Sequence, residues 1–323
     1  MIATAVGNYP KIPNPPGEPK LRRAIAKFER GEIYEEELER VEDEVTRDVL
    51  VEQRKAGLDL LTDGQIRWED GQTYFARKLG GFSINGLIRY FDTNTYYRQP
   101  VVEEKLEWNG PISLRDYRFA QAEGAKPVKA VVTGPYTLAR LSQNRAYSSF
   151  DPLVFDLASA LNQEALSLQE ANPSWIQFDE PAILMHKEDF PLFEEVMKTL
   201  TSGLRVKISL YTWFGDIEGL YPELFRLPFD LFGLDLVRGR RSLKLIEEVP
   251  EGKGLGLGIV DARNTKIEEE GDLVELIKRV STIVPTGRLH INPSCGLEYL
   301  PRETAYQKLV IMSKAVRRAE EVI

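Results

Sequence analysis

A single-domain α/β fold, a parallel (β/α)8 barrel, is what this sequence predicts, and two observations predict it. Eight short apolar runs recur, at residues 2–6, 58–61, 128–132, 175–178, 206–210, 231–236, 255–260 and 289–291. Runs rich in Val, Ile and Leu are what strands buried on both faces require. Each run also ends on, or just before, a polar residue: Asn8, Asp63, Thr133, Asp179, Thr212, Asp235, Asp261 and Asn292. Stretches of helical periodicity separate most of the runs. That alternation builds a barrel whose chemistry sits at the C-terminal strand ends, where these polar residues fall.

The helices follow from their stripes and caps. Leu21, Ala24, Ile25 and Phe28 predict a first short helix stopped near Gly31. Leu38, Val41, Val45 and Val49 predict a second, closed by Gly57 before the second strand. Asp151 and Pro152 read as N-cap and first residue of a helix reaching residue 171, with Leu153, Leu157, Leu161, Ala165 and Leu168 inward. Asp272 is expected to cap a helix carrying Leu273, Leu276, Ile277 and Val280, and Pro301 to start the last one. Residues 82–110 break the alternation. Gly86, the aromatics Tyr90, Phe91, Tyr96 and Tyr97, and Pro100 predict a β-hairpin-like insertion after the second strand. The Pro-rich stretch 10–19 is too short to link two domains, so residues 1–323 are expected to form one unit.

Composition narrows the function classes. Of 323 residues, 42% are apolar and 28% charged, enough for a substantial core. The net charge of −8, with both signs interspersed, argues against a nucleic-acid surface. No apolar run approaches the ~20 residues of a spanning helix, so a soluble cytoplasmic protein is expected. Cys295 is the only cysteine, which excludes an internal disulfide framework.

The strand ends carry specific text. Residues 91–97 read Phe-Asp-Thr-Asn-Thr-Tyr-Tyr, 177–182 Gln-Phe-Asp-Glu-Pro-Ala and 211–216 Tyr-Thr-Trp-Phe-Gly-Asp. Residues 235–239 read Asp-Leu-Val-Arg-Gly, 260–264 Val-Asp-Ala-Arg-Asn and 292–297 Asn-Pro-Ser-Cys-Gly-Leu. In this order, over nearly the whole chain, they resemble the cobalamin-independent methionine synthase family. That family builds its enzyme from two similar barrels. The segments at 91–97, 211–216 and 235–239 look like its N-terminal barrel, and 292–297 more like its catalytic barrel.

The resemblance implies a zinc site in the catalytic barrel, held by a His, a Glu and two Cys. Here the His-x-Cys position reads Tyr211-Thr212-Trp213, the Glu position falls at Asp235, and only Cys295 matches a ligand position. The two histidines are His186, after the fourth strand, and His290, within the eighth. Tyrosine and tryptophan supply neither imidazole nor thiolate, so no zinc is expected in this chain. The acid that recognises homocysteine corresponds to Gln65, a neutral amide. The Trp that stacks the pterin falls near Leu141. Asp179 matches an Asp that contacts substrate, and Asp179 and Asp235 are the candidate catalytic residues. The basic residues that grip a polyglutamyl folate tail correspond to Lys20 and Arg22, beside Arg23, and to Arg89. Asn94, Asp216, Arg238 and Asp261, within the matching segments, complete the candidate binding set with Gln65.

These residues predict a component of a split methionine synthase. A separate chain would bear the zinc and activate homocysteine, and this one would support it and help hold a folate-like or pterin-like methyl donor. Two alternatives stand beside it. One is a zinc-independent barrel enzyme that uses Asp63, Asp179, Asp235, Arg238, Asp261 and Arg263 on a small anionic substrate. The other is a non-catalytic structural or regulatory partner.

Overall fold

The computed structural model describes residues 1–13, 17–246 and 249–323. The Pro-rich stretch at 10–19 therefore lies partly outside the described residues. The strands are β1 (Ile2–Ala3), β2 (Leu79–Arg89), β3 (Tyr96–Trp108), β4 (Ala130–Thr133), β5 (Gln143–Asn144), β6 (Ile176–Asp179), β7 (Ile208–Thr212), β8 (Leu231–Asp235), β9 (Gly254–Val260) and β10 (Leu289–Pro293). The helices are α1 (Lys20–Glu29), α2 (Glu35–Lys55), α3 (Gly71–Ala76), α4 (Leu114–Glu123), α5 (Pro135–Arg140), α6 (Phe150–Gln169), α7 (Phe190–Thr201), α8 (Ser242–Leu245), α9 (Glu270–Ser281) and α10 (Arg302–Val322). None of the described helices is long and apolar enough to cross a membrane.

Seven strands form one parallel sheet in the order β1-β10-β9-β8-β7-β6-β4. Every residue of β4, β6, β7, β8, β9 and β10 is buried. This is why they read as unbroken apolar runs: helices cover one face and the interior side chains fill the other. The predicted second strand behaves differently. Residues 58–61 reach both edges of the sheet by single parallel bridges, Thr4 to Leu60 and Leu61 to Val128. Side chains do part of the ladder's work there. Asp59 accepts from the Ala3 amide at 3.0 Å. Gln53 of α2 accepts from the Thr62 amide at 3.0 Å and donates to its carbonyl at 2.8 Å. The architecture is thus an α/β fold around a seven-stranded parallel sheet.

The glycines of β8 and β9 have a spatial reason. A Cβ on Gly233 would stand 2.2 Å from the Tyr211 ring, and one on Gly256 would stand 2.8 Å from its hydroxyl. Tyr211 therefore occupies the space that side chains at those two positions would need.

Smaller expectations are corrected. Only Leu21 and Ala24 of α1 are buried, whereas Ile25 and Phe28 are 38% and 41% exposed. A short helix has one inward turn, and these two fall outside it. Ser149 stands at the N-cap position of α6, with Asp151 in its first turn. Asp272 likewise lies within the first turn of α9. Gly57 does follow α2, at φ 93°, where a side chain would be strained.

The insertion is a long antiparallel hairpin of β2 and β3, to which β5 adds in parallel. Its tip crosses the strand ends. Phe91 packs edge-on to Phe214 after β7 at 5.7 Å, and Arg263 after β9 donates to Asp92 at 3.1 Å. Its root is fixed by Glu164 of α6, which accepts from Trp108, Ile112 and Ser113.

Candidate functional site

A cavity of about 490 Å³ opens at the C-terminal ends of the strands, beneath the hairpin residues Tyr90, Thr95, Tyr96 and Tyr97. Asp179, the last residue of β6, reaches it. Gln177, two residues earlier and so on the same face of the strand, donates to Asp179 at 2.7 Å and to the Val6 carbonyl at 2.8 Å. Burial pushes the Asp179 carboxyl up to about 8, against the pull of the Gln177 amide and the Lys129 ammonium. Lys129 is itself buried, its amine 4.9 Å from the Tyr211 ring centroid, and burial lowers it to about 7. Glu180 has another task. It accepts from the amides of Tyr136 and Thr137 at 2.9 and 2.7 Å, which caps the N-terminus of α5. A Cβ on Gly134 would lie 2.2 Å from this carboxyl, so the Thr-Gly-Pro turn needs its glycine.

The opposite wall comes from the loops after β1, after residues 58–61 and after β10. Asn8, Lys11, Trp68 and Glu298 all line the cavity. Lys11 donates to the Trp68 carbonyl, and burial brings its amine down to about 8. Burial raises the Glu298 carboxyl to about 7, against the pull of its own backbone amide, the Tyr299 hydroxyl and, least, Lys11. Asn8 Oδ1, Trp68 Nε1 and Glu298 Oε2 are buried and have no hydrogen-bond partner.

Of the candidate catalytic and binding residues, Asp179 and Gln65 line this cavity, as do Asn8 and Thr133 among the polar strand-end residues. Gln65 sits at φ 51°, a strained value for a side-chain-bearing residue. The others lie elsewhere. Asp235 accepts from three backbone amides, those of Phe214 at 3.0 Å and of Val237 and Arg238 at 2.9 Å, and so ties two strand-end loops together. Burial raises its carboxyl. Asp216 takes the Lys187 ammonium at 3.2 Å, and Asp261 the Arg263 amide at 2.9 Å. Arg89 donates to Asn94 at 3.1 Å on the exposed hairpin tip. Lys20 is paired with Glu44 on the α1 surface, where Arg22 is also exposed.

The side chains at the zinc positions do not fit the metal. Tyr211 is packed inside the sheet with its hydroxyl 3.5 Å from Asn292 Oδ1. The Asp235 oxygens are occupied by amides, and the Cys295 thiol donates to the Gly296 carbonyl at 3.4 Å. Burial holds that thiol well above its ordinary range, disfavouring the thiolate a metal needs. His290 lies edge-on to Trp175 at 5.0 Å, and His186 is beside Glu188 at 3.6 Å. Among the described residues no three His, Cys, Asp or Glu side chains converge as a metal site.

Residues 1–318 match the family model described as the catalytic domain of cobalamin-independent synthase. The chain belongs to the cobalamin-independent methionine synthase family. It is 33% identical to a methionine synthase of Saccharolobus solfataricus over 99% of this chain and 95% of that protein. It is 34% identical to one of Sulfurisphaera tokodaii, over 99% of this chain and 93% of that protein. Its backbone matches the B12-independent methionine synthase of Shewanella sp. W3-18-1, solved with selenomethionine, at TM-score 0.86 and 20% identity. That match covers 100% of this chain and 99% of the other. At that identity the likeness is one of fold. Segments 91–97, 211–216 and 235–239, aligned above with the family's N-terminal barrel, thus lie in a chain that matches the catalytic-domain model.

Sequence reasoning placed Asn8 at the end of the first strand and missed Lys11, Trp68 and Glu298. The signal for Glu298 was its place one residue beyond the Asn-Pro-Ser-Cys-Gly-Leu segment. Lys11 and Trp68 carried no signal, because their meeting depends on how two loops fold together.

Proposed function

We propose that this chain serves methionine biosynthesis as one polypeptide of a split cobalamin-independent methionine synthase. A second chain carries the zinc that binds and activates the thiol, and this one offers a cavity for a small polar reactant under its hairpin. The observation that carries the reading is a contrast between two sets of side chains. Asp235 and Cys295, at zinc positions, are committed to other partners, while the cavity, which Trp213 of the same positions helps to line, keeps Asp179 and three unpartnered polar atoms. Residues 58–61, bridged to both sheet edges, are read as the eighth strand closing a (β/α)8 barrel. Mixing this protein with a zinc-bearing synthase chain is expected to raise homocysteine methylation and to retain both chains through gel filtration. Identical rates with and without it, under the physiological methyl donor, end the split reading.

The same reading places a donor's anionic tail over the hairpin tip. Arg89 lies next to Tyr90, which lines the cavity, and its guanidinium can exchange Asn94 for a carboxylate. Arg89→Ala is expected to weaken a triglutamyl donor about tenfold, less so at high salt because exposed charges are screened over about 10 Å at 0.1 M. Calorimetry with mono- and triglutamyl donors checks this. Equal affinity for both tails returns Arg89 to a solvated surface residue. A second reading, a zinc-independent enzyme, draws support from the two protonatable carboxyls, Asp179 and Glu298, that share the cavity.

A further inference from the structure

Glu298 is placed for a role that its chain position alone does not explain. The segment after β10 is tied to the loop after β1 by the Leu297 amide, which donates to the Asn8 carbonyl at 2.9 Å. A Cβ on Gly296 would lie 2.2 Å from Glu298 Oε2 and 3.0 Å from Asn8 Cβ. The carboxylate therefore folds back over Gly296 toward Asn8, into space that any other residue at 296 would fill. There Glu298 Oε2 and Asn8 Oδ1 are two buried acceptors without a donor, and Trp68 Nε1 is a buried donor without an acceptor. All three residues line one cavity. Leaving a buried polar group unpaired costs about 1–3 kcal/mol, more when it is charged. Two acceptors and one donor are the complement of a zwitterion: an ammonium has three N–H groups to give, and a carboxylate can take the indole N–H. Gln65 on the same wall is neutral and cannot balance an ammonium charge.

We propose that Glu298, with Asn8, binds the ammonium group of a small α-amino acid in this cavity and replaces the carboxylate that Gln65 lacks. The assignment rests on the reading of the chain as a methionine synthase component, and it adds the residue that selects for the amine. Tyr299, whose hydroxyl also bonds the Glu298 carboxylate, and Lys11, whose ammonium draws on the Glu298 charge while bonded to the Trp68 carbonyl, are the competing partners. A Glu298 that served only these partners would shape the loop and not the ligand.

Trp68 and Trp213 both line the cavity, so intrinsic fluorescence reports occupancy. The titrants are L-methionine, L-homocysteine and the desamino acid 4-(methylthio)butanoate, against wild type, Glu298→Gln and Lys11→Met. Wild type is expected to bind the amino acids at least tenfold more tightly than the desamino acid. Glu298→Gln should lose that preference while melting as a folded protein, and Lys11→Met should keep it. The assignment is overturned if Glu298→Gln discriminates as wild type does, or if Lys11→Met erases the preference equally. It is also overturned if wild type does not prefer the amino acids or binds none of the three, water alone then serving the orphan atoms. The mixing assay with the zinc-bearing chain judges the split-enzyme reading separately. A preserved amine preference without stimulation of that chain would remove the split reading and leave the Glu298 assignment standing.

Discussion

Glu164→Ala is expected to lower the folding free energy by about 4 kcal/mol and to loosen the hairpin. Glu164 is fully buried on α6. Its carboxylate accepts from the Ile112 amide at 2.7 Å, the Ser113 amide and hydroxyl at 2.8 Å, and Trp108 Nε1 at 3.1 Å. Truncation strands four donors in a dry site and leaves a cavity. Each orphaned donor costs about 1–3 kcal/mol, and because they share one acceptor the losses do not add in full. The donors sit where β3 ends and α4 begins, so their release frees the base of the hairpin that roofs the cavity. Glu164→Gln keeps one acceptor oxygen and should lose about half as much. Urea denaturation gives the free energies, and limited proteolysis should cut Glu164→Ala within residues 79–113 before the rest of the chain. A loss below about 1 kcal/mol with an uncut hairpin would mean that the root is held by packing alone.

Asp179→Asn should change how stability depends on pH. The folded carboxyl is held up at about 8 by burial, whereas the unfolded one titrates near its ordinary value of about 3.9. The folded state therefore holds this proton more tightly between these two values. The resulting stability is fully present below about pH 4 and is lost as pH rises through about 8. Asparagine removes the titration, so the variant should gain on wild type as pH rises. A difference of that size corresponds to roughly 6 kcal/mol across the whole titration. Water in the cavity softens the burial, and Lys129 loses its attractive neighbour in the variant, so a gain of about 2 kcal/mol at pH 9 relative to pH 5 is expected. Glu298, Glu180 and Lys129 also titrate in this window, so the quantity to compare is variant minus wild type at each pH. Urea denaturation at both pH values measures it. The same difference at pH 5 and pH 9 would mean that Asp179 is ionised and solvated in the folded protein.

These two residues also show what a one-dimensional reading can and cannot see. The stripe Leu153, Leu157, Leu161, Ala165 and Leu168 lies buried on α6 as its spacing predicts. Glu164, one position before Ala165, lies buried with that stripe. An acid set in an apolar stripe was the sign of a buried acceptor, but its donors on residues 108–113 lie 51–56 positions away. Asp179 was legible because a carboxylate at the end of an apolar run must emerge at the strand end. Asp235 was legible for the same reason. Yet its oxygens turn to the amides of Phe214, Val237 and Arg238, and no spacing rule separates a carboxylate that faces a cavity from one that holds loops.

By itself the sequence determined the parallel strands, their order along the chain, the hairpin and the family, because each is written in local pattern: apolar runs, helical stripes, clustered aromatics and motifs in register. Tertiary structure alone decided how residues 58–61 meet the two sheet edges, since Asp59 and Gln53 take over bonds a full ladder would make. It alone decided that Tyr211 lies over glycines of two neighbouring strands. It alone brought Asn8, Trp68 and Glu298 to one wall with their polar atoms unpaired. The physical reason is common to all three. Burial and hydrogen-bond satisfaction are properties of atoms that meet in space, and Asn8 and Glu298 stand 290 positions apart in the chain.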